Sequence, residues 1–175
     1  MKRFGPILIM LLLMSLPTCQ LSEARKVSTK LSAPKADSYK EKETEVNALV
    51  SQFSNNLTVL TEDSTEFAGI ARGISFIAYD KKTSASKETF FVENGTDENI
   101  DEIAVRINYY NTSGKLIHSN NEVIKGVFPA GETRKVDIKS WDTQKSFHYI
   151  HSTPSKKGST PYTVSIRVLA VGLVR

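Results

Sequence analysis

From Phe67 onward, hydrophobic and polar residues exchange at every step along the chain. Ile103, Val105, Ile107 and Tyr109 fall on one side of such a run, with Ala104, Arg106, Asn108 and Tyr110 on the other. A period of two is the pattern of a strand with one face buried. It predicts strands at 74–79, where Ile74, Phe76 and Ala78 share a face, and at 89–93, 103–110, 115–117, 122–127, 133–138, 147–150 and 162–174. Turn chemistry separates them. Asn111-Thr112-Ser113-Gly114 suits a type I turn closed by a glycine at positive φ, Asn94-Gly95 is a second turn, and Pro129-Ala130-Gly131 fits a turn with proline in second place. Seven or eight short strands joined this way predict an all-β, immunoglobulin-like antiparallel sandwich over 66–175.

Upstream the period changes. Val46, Leu49, Val50, Phe53, Leu57 and Leu60 recur at helical spacing, and Ser38 with Glu41 matches a capping box, so a helix-like segment is expected over 39–60. Its polar face carries mixed charge, which favours packing on the domain that follows. Residues 25–38 are rich in Lys, Ser, Thr, Ala and Pro and are expected to form a flexible tether. Lys2 and Arg3 precede an apolar run over 6–16, too short for a membrane span of about 20 residues and the right size for an export signal. Two exits fit: cleavage after Ala24, or lipidation of Cys19 in Leu16-Pro17-Thr18-Cys19. Either places the protein outside the cytoplasm, touching a membrane only through a lipid on Cys19.

With 175 residues there is room for one domain with a real core. A single cysteine excludes an intramolecular disulfide, and a net charge of +4 is too slight to argue for nucleic acid.

The order Phe91-Val92-Glu93-Asn94, Ile103 to Tyr110, Asn111 to Ile117 and Pro129 to Glu132 has a precedent. The stretch 89–138 resembles FxLYD-type and related immunoglobulin-like domains of bacterial envelope proteins, whose eponymous motif falls here on Ile107-Asn108-Tyr109-Tyr110-Asn111. The resemblance implies fold and compartment, no enzymatic activity and no catalytic residues to carry over.

Candidate chemistry is sparse. His148 and His151 lie three apart, which in a strand puts them on opposite sides, so they are expected to be partly exposed and not metal ligands. Asp97, Glu98, Asp101 and Glu102 lack calcium-loop spacing and are expected to form a solvated acidic loop. There is no Gly-x-Ser-x-Gly elbow and no phosphate-cradling glycine loop, so no catalytic, cofactor or metal residue is assigned. Trp141 reads either as a plug at the sandwich edge or as an exposed recognition aromatic. With Tyr110, Lys156 and Lys157 it makes up the expected binding surface for a protein or glycan partner. An exposed Trp141 would favour such a binding module, and an exposed apolar face over 46–53 would favour an accessory subunit docked through its helix. A small secreted hydrolase is the weakest alternative and needs a cleft joining His148 or His151 to an acid.

Overall fold

The computed structural model of the chain describes residues 36–153 and 157–174, with side chains from residue 42 onward. Among these residues two helices, α1 (Ala36–Val50) and α2 (Phe67–Gly73), accompany eight strands: β1 (Thr58–Thr61), β2 (Ile74–Asp80), β3 (Lys87–Asn94), β4 (Ile100–Asn111), β5 (Leu116–Phe128), β6 (Thr133–Lys139), β7 (Phe147–Tyr149) and β8 (Thr160–Leu173). One sheet has the order β1-β8-β4-β5, with β7 joining β8 in parallel; the other has the order β2-β3-β6. Apart from β7 every pairing is antiparallel. The molecule is an all-β sandwich.

Its core follows from the alternation on β4. Ile103, Val105, Ile107 and Tyr109 are fully buried and meet Phe90 and Val92 of β3 between the sheets. Each such aliphatic side chain contributes about 1.5–3 kcal/mol by leaving water. The opposite side of β4 is covered as well. Ala104, Leu169 and Ala170 form a floor on which Leu49, Phe53, Val46 and Val50 pack, with Leu57, Val59 and Val123 at its border. Small residues beneath the helix let it approach the sheet. Gly172 is the tightest point: a Cβ there would stand 2.8 Å from Leu57 Cδ1 and 3.0 Å from Phe53 Cδ2. Gly172→Val is therefore expected to cost about 1–3 kcal/mol by overpacking, measured as a lower urea midpoint. An unchanged midpoint would show that the 53–57 turn does not press on β8.

Several boundaries differ from expectation. α1 begins at Ala36, so Ser38 and Glu41 lie inside it, and it ends at Val50. Leu57 and Leu60, read at helical spacing, belong to a turn and to β1, which extends the sandwich upstream of residue 66. The 115–117 and 122–127 runs are one strand, β5. At the Pro129 turn the Glu132 N–H donates to the Pro129 carbonyl (3.1 Å), so proline occupies first place and Gly131 takes the positive φ of +72°. The Asn111 turn forms as expected, with Gly114 at φ +78°.

The largest departure is on β2. Its register to β3 slips between Ile77 and Asp80, and Ala78 sits at φ +51°. A bulge inserts one residue and reverses the phase of everything after it. Ala78 thus ends exposed and Tyr79, expected outside, turns into the core.

Candidate functional site

Tyr79 reaches a carboxylate that the fold has removed from water. Glu88 on β3 shares the inward parity of Phe90 and Val92 and has no exposed surface. Its Oε2 accepts hydrogen bonds from the hydroxyls of Tyr79 (2.7 Å) and Tyr109 (2.7 Å), and its Oε1 accepts a longer one from the Trp141 backbone N–H (3.4 Å). The Tyr79 hydroxyl also meets that of Tyr162 at 2.8 Å. Burial pushes all three phenols well above the ordinary tyrosine range, and the nearby Glu88 charge pushes the same way. They remain neutral donors, which is the form a buried carboxylate needs.

A second buried pair lies alongside. Lys81, just after β2, donates from Nζ to Asp142 Oδ2 (2.5 Å) and to the Phe147 carbonyl (2.7 Å); both side chains are almost wholly buried. Asp142 also accepts from the N–H groups of Ser146 (3.0 Å) and Phe147 (2.8 Å). Burial raises its pKa, but the Lys81 ammonium and these N–H groups outweigh that and hold it below the usual carboxylate range. The Lys81 N–H donates to Ser152 Oγ (3.0 Å), whose hydroxyl donates to Asp80 (2.5 Å). Residues 80–81 thereby pin the whole 142–152 segment.

The expected surface residues disperse. Trp141 packs inward, stacked on His118 (centroids 4.8 Å apart, 18° between planes) and tilted against Tyr109 and Phe147. It is half-buried and plugs the sandwich edge; its indole Nε1 is buried with no hydrogen-bond partner among the described residues. Tyr110 is half-buried on the outer side of β4, and Lys157 is exposed in a loop remote in sequence from both. Lys156 and Cys19 lie outside the described residues, as does most of the 25–38 tether.

The apolar positions over 46–53 pack on the chain's own sheet, so neither the exposed helix face that would favour a docked subunit nor the exposed Trp141 that would favour a binding module is found among the described residues. Glu102, expected in a solvated loop, is buried on β4 and accepts from the Ser54 hydroxyl (2.6 Å), while Asp97 and Glu98 are exposed. His148 is buried, not partly exposed: its Nδ1 meets Ser159 Oγ at 2.9 Å, and His151 is exposed in the turn after β7. No group of three metal-ligating side chains occurs among the described residues. Nor, among them, is any helix long and apolar enough to cross a membrane.

A concave feature lies on the flank. β5 and β6 are the edge strands of opposite sheets, joined by the Pro129 turn, and a groove of about 630 Å³ opens between them. It is lined by Ile124 and Phe128 from β5, both almost wholly buried, by half-buried Val136 and Ile138 from β6, and by charges of both signs, Lys125, Arg134, Lys135 and Lys139 with Glu122 and Asp137. An open sheet edge is one of the binding surfaces a sandwich offers, but the alternation along β6 does not mark it as the edge strand, so the groove could not be placed from sequence.

Fold and flank together define a β-sandwich with a buried acid–tyrosine core and open sheet edges. No protein-family model and no curated protein sequence matches the chain. Among solved structures it is similar to the solution structure of the uncharacterized lipoprotein YajI from Escherichia coli, at 14% identity over 89% of this chain and 93% of that one, with a TM-score of 0.31.

Proposed function

We propose that this is an exported, non-enzymatic module of the bacterial cell envelope, an immunoglobulin-like sandwich that binds a protein or glycan partner. The observation that carries the binding half is the distribution of polar groups. Glu88, Lys81, Asp142 and His148 are engaged inside the fold by tyrosines, backbone groups, one another and Ser159. The sheet edge at β6, by contrast, turns polar backbone outward to solvent. The export half rests on the leader pattern of residues 1–24 and the lipidation candidate Cys19.

Expression of the whole chain in a bacterium, followed by mass spectrometry of the N-terminal peptide, tests the export half. A chain starting at Arg25, or at an acylated Cys19, is the expected result. A cytoplasmic chain that keeps residues 1–24 would contradict it. Chemical cross-linking in envelope preparations tests the binding half, with a defined contact on the sandwich as the expected outcome.

A further inference from the structure

We propose that the free edge of β6 takes up an extended, acidic segment of a partner protein as an added strand; this rests on the binding-module reading and gives the partner a chemistry. The backbone bonds fix which groups are available. The Asn94 N–H donates to the Glu132 carbonyl (2.9 Å) and the Ser140 N–H to the Ser86 carbonyl (3.0 Å), so even-numbered residues of this segment face β3. In an antiparallel ladder without a bulge the odd-numbered ones face away. Thr133, Lys135, Asp137 and Lys139 therefore turn their N–H and C=O groups outward, and among the described residues β6 pairs with no strand but β3. Seven residues span roughly 20 Å, enough for an added strand of typical length.

Side chains set what such a strand would be. Positions pointing into the groove would meet Val136, Ile138, Ile124 and Phe128, with Val127 60% exposed at the far wall. Positions pointing outward would lie beside Lys135, Asp137 and Lys139; Asp137 pairs with Lys135 (3.4 Å), and Lys139 has no ion-pair partner among the described residues. Lys139 is directly opposite Lys87 on β3, and both are exposed. Like charges placed opposite each other across a sheet are unfavourable, and an acid on a third strand relieves them. Complementarity thus calls for a segment alternating acidic and aliphatic residues, a form of β-augmentation.

In the register centred on Asp137, two β6 edges would set Lys135 against Lys139 and Asp137 against itself, which opposes pairing with a second copy in that register. Two other edges are less open. β2 is broken by its bulge at Ala78, and the outer side of β8 already carries β1 and β7, with the Glu62–Arg167 ion pair between them.

Isothermal titration of the full chain with short Glu/Val-alternating and Lys/Val-alternating peptides, at about 0.15 M salt, supplies the test. Binding is expected for the acidic peptide alone. Asp137→Pro removes an outward N–H while leaving the β3 ladder intact and raising the positive charge, yet is expected to weaken binding about tenfold or more. Asp137→Asn, which keeps the N–H, is expected to bind as well as the parent or better. If Asp137→Pro fails to fold by circular dichroism, the Lys87→Glu/Lys139→Glu variant replaces it and is expected to reverse the preference between peptides.

Equal binding by the Pro and Asn variants, an unreversed preference, or no binding at millimolar peptide would overturn the edge. A partner cross-linked at Tyr110 or Lys157 would overturn it too while leaving the binding-module reading in place. No cross-link anywhere on the sandwich would sink that broader reading.

Discussion

Asp142→Ala is expected to destabilise the sandwich by about 3–5 kcal/mol, the range for breaking a buried ion pair by deleting one partner. The size follows from what the deletion leaves behind. Lys81 Nζ keeps the Phe147 carbonyl but loses its counter-charge with no surface to reach, and the N–H groups of Ser146 and Phe147 lose their acceptor. Urea denaturation at neutral pH measures it. Lys81→Met/Asp142→Leu, which removes both charges, should recover much of the loss, because a buried pair gains little over apolar side chains of similar volume. A cost below about 1 kcal/mol for Asp142→Ala would mean that water reaches Lys81.

The pair also sets a pH dependence. Asp142 is held below its ordinary pKa in the folded chain, so the unfolded chain binds its proton more readily. Its contribution is complete above the ordinary carboxylate pKa of about 4 and drains away as pH falls through the lower folded value. Parent and Asp142→Asn should differ at neutral pH and converge in strong acid. A difference that persists below that window would assign the effect to packing instead of charge.

Glu88→Ala carries the second large effect, about 3 kcal/mol or more, since each buried donor left without its acceptor costs about 1–3 kcal/mol. Tyr109 loses the one hydrogen-bond partner it has among the described residues, whereas Tyr79 retains Tyr162. Tyr109→Phe removes one donor and one bond and should cost about 1 kcal/mol. The ordering Glu88→Ala above Tyr109→Phe, read from thermal melts, is the discriminating result. If the two are equal, the acid is no more than a partner for that one tyrosine.

Much of the fold was legible because one-sided burial leaves a mark on sequence. The β4 alternation placed Ile103 to Tyr109 inward without error, and the Asn111 turn followed from its residues. What failed did so for identifiable reasons. A single extra residue at the β2 bulge reversed Tyr79, and periodicity has no means of marking a slip of one. Leu57 and Leu60 happened to continue a helical spacing after the helix had ended. β5 looked like two strands because its middle, Ser119-Asn120-Asn121, is polar on both faces, as an edge strand allows.

The buried groups were only partly hidden. Glu88 stands two residues before Phe90 on the inward parity, so extending that strand by one step would have found it. The Lys81–Asp142 pair left no such trace: the two residues are brought together only by the way β2 and the segment after β6 meet. Trp141 left two readings open, and the structure chose the plug through its stacking on His118.

Amide hydrogen exchange along β6, followed residue by residue in the full chain with and without the acidic peptide, decides whether the β6 edge takes up a strand. In the free chain, Arg134, Val136 and Ile138 should exchange slowly, and Thr133, Lys135, Asp137 and Lys139 quickly, because only the first set donates into the β3 ladder. Adding the acidic peptide should slow Lys135 and Asp137 and leave the even-numbered amides unchanged. Protection appearing on another strand, or none on β6 at saturating peptide, would contradict strand uptake at β6.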